Sequence, residues 1–135
     1  MTPDAQVNRN VMRVLVCDDD AASRYVAKRV LSRVLGCHVV ECGDGVEALE
    51  LLSREPFDLA FIDLQLPRLS GYEVVEAIRQ SDTMRDLPVA ILTQERSDNV
   101  VRDVLKLGVS AYITKPLRPD SLSDRKSTRL NSSHT

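Results

Sequence analysis

Apolar residues along this chain follow two patterns that alternate. Short continuous runs, Arg13–Cys17 (RVLVC), Cys37–Cys42 (CHVVEC), Leu59–Ile62 (LAFI), Val89–Leu92 (VAIL) and Ala111–Ile113 (AYI), are rich in branched residues and predict short strands, the first of them covered on both faces. Between them the period lengthens. Ala21–Leu35 repeats Val26, Val30 and Val34 at intervals of four before Gly36, and after Asp44, a candidate N-cap, Val46, Leu49 and Leu52 form one stripe ending before Pro56. Gly71–Gln80 and Ser97–Leu107, the latter closed by Gly108, complete four predicted helices. Strands alternating with helices of this length imply right-handed crossovers, hence a doubly wound α/β fold with a parallel sheet and helices on both faces.

Composition narrows the function more than the fold. The chain has 135 residues, about one domain. It holds no apolar run near the roughly 18 residues that cross a bilayer, and its first dozen residues contain no secretory pattern, so a cytoplasmic protein is expected. The net charge of −2, the absence of Trp and the lack of a Lys/Arg stripe argue against direct nucleic-acid binding. Cys17, Cys37 and Cys42 show no metal or redox spacing and read as buried reduced thiols. No G-x-G-x-x-G or G-x-x-x-x-G-K-[ST] occurs, so nucleotide cradling is unsupported.

In open parallel sheets ligands collect beyond the carboxyl ends of the strands. Asp18-Asp19-Asp20 follows the first run, Asp63 the third, Thr93 the fourth, and Lys115-Pro116 the fifth. Gathered carboxylates repel one another, and a hard divalent cation such as Mg²⁺ relieves that repulsion. A lysine and a hydroxyl opposite them suit phosphoryl oxygens, leaving a carboxylate as nucleophile. Singly each residue has an ordinary use: an Asp after a strand is commonly a helix cap, Thr93 a β-branched strand residue, Lys115 a solvated charge. Their joint placement carries the signal.

With those residues in view, the sequence resembles the receiver domain of response regulators in two-component, or phosphorelay, signal transduction. VLVCDDD is similar to that family's first-strand acidic motif, FIDLQLPRLSGYE to its D-x-x-x-P-x-x-x-G acceptor segment, AILT to its fourth-strand threonine and AYITKP to its Lys-Pro signature. The resemblance runs from about Arg13 to Leu122, and the separations of 44, 30 and 22 between Asp19, Asp63, Thr93 and Lys115 lie in the family's register. It implies a flavodoxin-like five-stranded sheet of order 2-1-3-4-5. Asp63 would be the phosphoacceptor, becoming 4-aspartylphosphate at the expense of a histidine kinase or histidine phosphotransfer protein. Asp18, Asp19, Asp63 and the backbone carbonyl of Gln65 would hold Mg²⁺, and Lys115 would pair with the phosphoryl oxygens. Thr93 and Tyr112 would be the switch that remodels the surface of the fourth helix, fifth strand and fifth helix, toward an output domain, an effector or a homodimer. The Lys115-Pro116 bond would be cis. The chemistry would be stoichiometric self-phosphorylation and autodephosphorylation, so the protein is not expected to be a turnover enzyme.

Gln94 departs from the common pattern, standing where a small residue is usual, and would narrow access; Gln65 and Glu95 occupy positions that tune phosphate lifetime in the family. Val100, Val101, Val104 and Leu105 exceed one narrow apolar stripe, so some are candidates for a contact surface. Competing readings are a phosphorylation-independent scaffold, a haloacid-dehalogenase-like phosphatase built on Asp18-x-Asp20, where Ala22 replaces the expected threonine, and a flavin protein, disfavoured by the acids after the first strand. By extent, residues 1–11 are expected to be a flexible lead, 12–123 the receiver domain and 124–135 a non-native tail. That tail, DRKSTRLNSSHT, has no apolar stripe to cover a sheet face and resembles the in-frame translation of a sequencing-library adapter, which would leave the fifth helix truncated.

Overall fold

The computed structural model describes residues 11–122. Five strands, β1 (Arg13–Cys17), β2 (His38–Cys42), β3 (Leu59–Ile62), β4 (Val89–Thr93) and β5 (Ala111–Thr114), alternate with helices α1 (Ala21–Leu35), α2 (Gly45–Arg54), α3 (Gly71–Gln80) and α4 (Asp98–Leu105). A helical turn over residues 119–122 closes the described chain. All pairings are parallel, in the order β2-β1-β3-β4-β5, the doubly wound architecture expected.

Alternation along the strands divides the core. Leu15, Cys17, Ala60, Ile62, Val89 and Ile91 face α2, α3 and α4 through Ala48, Leu52, Val74, Val75, Ile78 and Val104. Val14, Val16, Leu59, Phe61, Ala90 and Leu92 face the other way, against Ala27 and Leu31 of α1 and Leu117 and Leu122. With both faces covered, each central strand reads as an unbroken apolar run.

Local signals set the boundaries. Asp20 and Asp44 cap α1 and α2 by accepting from Ala22 N–H and Glu47 N–H, and Ser70 and Glu73 form a reciprocal capping box on α3. Gly36 ends α1 at φ 62°, the left-handed conformation glycine adopts without strain. Differences from expectation are small at the ends and larger on one face. β2 starts at His38, where pairing with β1 begins, its N–H donating to the Met12 carbonyl at 2.8 Å; β4 and β5 each extend one residue, pairing Thr93 with Thr114. α4 is shorter than Ser97–Leu107, with Ser97 as its N-cap and Gly108 at φ 77° beyond it.

Of the Val26, Val30, Val34 stripe only Val30, half-buried, packs against the core beneath the sheet. Ala27 and Leu31 are buried there, while Val26 and Val34 are 39% and 43% exposed. α1 docks on the line one residue further round, where Ala27 permits close approach. The valine line instead borders a cavity of about 600 Å³ with Tyr25, Arg29, Arg33 and Pro119. On α4, Val104 is buried and Leu105 exposed. Among the described residues no helix is long and apolar enough to cross a membrane. The lead and tail expected at 1–11 and 124–135 lie outside the described residues, Val11 excepted.

Candidate functional site

The parallel ladder runs one step past the strands and delivers the acids to one place. Asp18 N–H donates to the Cys42 carbonyl at 3.1 Å and Asp63 N–H to the Cys17 carbonyl at 3.0 Å, so the peptides of β1 and β2 aim both aspartates at the carboxyl edge. Asp18 and Asp63 are buried, as is Thr93, and Asp19 is exposed. One carboxylate oxygen each from Asp18, Asp19 and Asp63 lies within 4.8 Å of the others.

Around Asp63 the contacts are complementary. Its Oδ1 accepts from Thr93 Oγ1 at 2.7 Å and from Gln65 N–H at 3.1 Å; its Oδ2 accepts from Lys115 Nζ at 2.6 Å. Lys115 Nζ also lies 2.6 Å from Asp18 Oδ2, with 10% of the lysine side chain exposed. Burial alone would lower the Lys115 pKa, but the ammonium's close pairing with the Asp18 and Asp63 carboxylates outweighs it and holds the pKa above the ordinary lysine value. The Lys115-Pro116 peptide is cis.

Gly71 explains the close spacing of the acceptor segment. A Cβ there would sit 2.1 Å from the Asp63 carbonyl oxygen and 2.7 Å from Leu64 Cα, so the start of α3 rests directly on the acceptor's backbone, and Gly71 N–H donates to Leu64 O at 2.9 Å. Beyond Asp63, Glu95 N–H donates to Thr93 Oγ1 at 3.4 Å, and the Tyr112 hydroxyl donates to the Glu95 carbonyl at 2.7 Å. Burial, with Glu95 and Asp63 nearby, raises the Tyr112 pKa. A continuous relay therefore runs from Asp63 through Thr93 and Glu95 to Tyr112 on β5. Gln94 is exposed and lines, with Lys115, Pro116, Asp20 and Leu92, a recess of about 210 Å³ beside the site.

The donor set fits a hard divalent cation. Three converging carboxylates face one ammonium, and Asp18 Oδ2, buried, receives the charge of Lys115 but no aligned hydrogen bond. An oxygen-only acidic pocket of this kind matches Mg²⁺ preferences. Cys17 and Cys42, register partners on β1 and β2, lie just beneath. The three cysteines are free and buried; the Cys17 thiol donates to the Asp44 carbonyl at 3.3 Å, and the adjacent Cys42 together with burial raises its pKa, keeping it protonated.

Sequence reasoning passed over one neighbour of the site. Arg24 of α1 donates through Nη1 to the Asp18 carbonyl at 2.6 Å and through Nε to Glu41 Oε1 of β2 at 3.1 Å. Its signal was a cation near the start of a helix whose first turn has no acidic residue, against the preference of the helix dipole.

Comparison with known proteins agrees with this geometry. The sequence profile described as Response regulator receiver domain matches residues 14–126. A chemotaxis protein CheY homolog of Campylobacter jejuni is 34% identical over 115 residues, covering 84% of this chain and 88% of that protein. The receiver domain protein (CheY-like) from Methanospirillum hungatei superposes with a TM-score of 0.76 at 27% identity, covering 92% of this chain and 97% of that one. The phosphorylated cyanobacterial phytochrome response regulator RcpA superposes at 0.74 with 27% identity, over 83% and 86% of the two chains. From the acidic strand ends to the Lys-Pro turn, this chain belongs to the response regulator receiver domain family of two-component signalling.

Proposed function

We propose that the chain is a phosphorylation-dependent switch whose acceptor is Asp63. The observation that carries this is the bracketing of one buried carboxylate by Thr93 Oγ1 and Lys115 Nζ, beside the further acids Asp18 and Asp19. Phosphoryl transfer asks a protein chiefly for positioning and charge neutralisation, and these groups supply both. In the step, a carboxylate oxygen of Asp63 bonds to phosphorus as the P–N bond of a partner's phosphohistidine breaks. The histidine imidazole leaves. A histidine kinase or histidine phosphotransfer protein is the donor of that chemistry.

Mg²⁺ would be held by Asp18, Asp19, Asp63 and the Gln65 backbone carbonyl, and would neutralise part of the roughly −1.5 to −2 charge of the new group. The chain's own residues do the rest. Lys115, already between Asp18 and Asp63, pairs with phosphoryl oxygens. Thr93 transfers its hydroxyl hydrogen bond from Asp63 to the phosphoryl group, which draws on Glu95 and so on Tyr112. The change reaches α4, β5 and the helix that starts at residue 119, the surface offered to an output domain or effector. Asp20 is spent as the cap of α1, which weakens the phosphatase alternative. The neighbouring RcpA receiver, solved in a phosphorylated form, supports the acceptor role.

The test is intact-mass spectrometry after incubation with acetyl phosphate, with and without Mg²⁺. A Mg²⁺-dependent gain of one phosphoryl group, lost in Asp63→Asn, is expected. No adduct on folded, Mg²⁺-binding protein, from acetyl phosphate or from a phosphorylated histidine phosphotransfer protein, would replace this reading with that of a binding-only scaffold.

A further inference from the structure

We infer that Arg24 is a positioning residue for the divalent-cation site, clamping the acidic turn after β1 onto β2 before any cation arrives. The inference rests on reading the Asp18, Asp19, Asp63 cluster as that site, and it assigns a role to a residue outside the cluster.

Position and geometry are the grounds. Arg24 stands in the first turns of α1, where a cation opposes the helix dipole, so its placement asks for a compensating use. Nη1 meets the Asp18 carbonyl at 2.6 Å, the oxygen of the peptide that joins Asp18 to Asp19. Fixing that peptide fixes the departure of both carboxylates. The opposite side of the guanidinium is anchored, Nε to Glu41 Oε1 at 3.1 Å, and Lys28 Nζ lies 3.7 Å from the other Glu41 oxygen. The Arg24 backbone completes the enclosure: its N–H donates to the Asp20 carbonyl at 3.0 Å, while Asp20 N–H donates to Asp18 Oδ1 at 2.9 Å. The turn is thus held by its own peptides and by one side chain reaching across from α1 to β2. Arginine suits this because its fork offers two directed donors at a fixed separation, which a lysine ammonium does not reproduce.

Charge and geometry predict opposite signs. As a bare cation near three carboxylates, Arg24 would weaken Mg²⁺ binding, and its removal would tighten it. As a clamp it pre-organises the ligands, and its removal loosens binding; outer-shell partners of metal ligands typically contribute about 10- to 100-fold in affinity or activity. The α1–β2 ion pair alone, partly exposed, would leave Mg²⁺ affinity untouched.

The experiment is calorimetric titration of the full chain with Mg²⁺, paired with the rate of phosphoryl gain from acetyl phosphate. In Arg24→Met the half-saturating Mg²⁺ concentration should rise about tenfold, while the rate at saturating Mg²⁺ stays within about twofold of the parent, since the reacting groups are intact. Arg24→Lys should retain most of the loss despite keeping its charge. Unchanged or tighter Mg²⁺ binding in Arg24→Met overturns the inference, as does a parent chain that binds no Mg²⁺. Should Arg24→Met lose its cooperative melt, Glu41→Gln carries the test: a rise of roughly twofold, the scale of one partly exposed ion pair, is expected, and no shift overturns it. A parent that takes no phosphoryl group yet shows the Arg24 dependence of Mg²⁺ binding would remove the acceptor role and leave this inference standing.

Discussion

Lys115 is held between Asp18 and Asp63 with its pKa above the ordinary value, and that sets the sign of an alkaline effect. Below about 10.4, the usual lysine value, the ammonium is charged in folded and unfolded chains alike and its contribution is complete. As pH rises through the higher folded value the contribution is lost. The raised Cys17 and Tyr112 groups act in the same direction, so the diagnostic is a difference. Urea midpoints measured from pH 8 to 11.5 should fall more steeply above about 10.4 in the parent than in Lys115→Met. Gly71→Ala is a second test at this scale. Its Cβ would meet the Asp63 carbonyl at 2.1 Å, which backbone must yield to, at a cost of about 2 kcal/mol or more. Denaturant unfolding should show that loss, together with slower phosphoryl gain at Asp63.

At the scale of the element, α1 separates pattern from packing. Leu31 is fully buried and Val34 is 43% exposed, although both belong to apolar lines spaced by four. Leu31→Ala should destabilise by about 2–5 kcal/mol, and Val34→Thr by no more than about 0.5 kcal/mol. Comparable losses at the two positions would contradict the docking of α1 described above. The helix ends follow sequence more closely, because a cap is a local bond: Asp44, read as an N-cap from its place before an apolar stripe, accepts from Glu47 N–H at 2.7 Å.

Across the whole molecule, long-range polar ties join elements that no local pattern connects. Arg79 of α3 donates to the carbonyls of Leu107, Arg85, Leu87 and Gly108, tying the loops that lead into β4 and β5. Arg79→Met would strand the partly buried Leu87 and Leu107 carbonyls, and a loss of about 2–3 kcal/mol is expected from chemical denaturation, given the worth of charged hydrogen bonds. Cation binding is also a whole-chain property. Mg²⁺ at about 100 times its dissociation constant should add about 2.7 kcal/mol to stability. In Asp19→Asn, melts with Mg²⁺ and with a chelator should coincide, and the chelated form should be more stable than the parent, since one of three crowded carboxylates is gone.

Strand runs, helix stops and the residues at the strand ends were legible because they depend on neighbours in sequence: period, caps and punctuation are local. Asp18, Asp19, Asp63, Thr93 and Lys115 stood out only jointly, as residues following predicted strands, whose carboxyl ends a parallel sheet gathers on one edge. What the tertiary structure alone decided depends on chain segments meeting at a distance. It centred the buried face of α1 on Ala27 and Leu31 and left Val26 and Val34 exposed, because the face a helix buries is set by how it docks on the sheet. It gave Gly71 its cause, since the atom it must avoid belongs to Asp63. It brought Arg24 to the Asp18 carbonyl and Glu41, a bridge from α1 to β2 that no spacing along the chain encodes, and it linked Tyr112 to Thr93 through a backbone carbonyl invisible to side-chain identity.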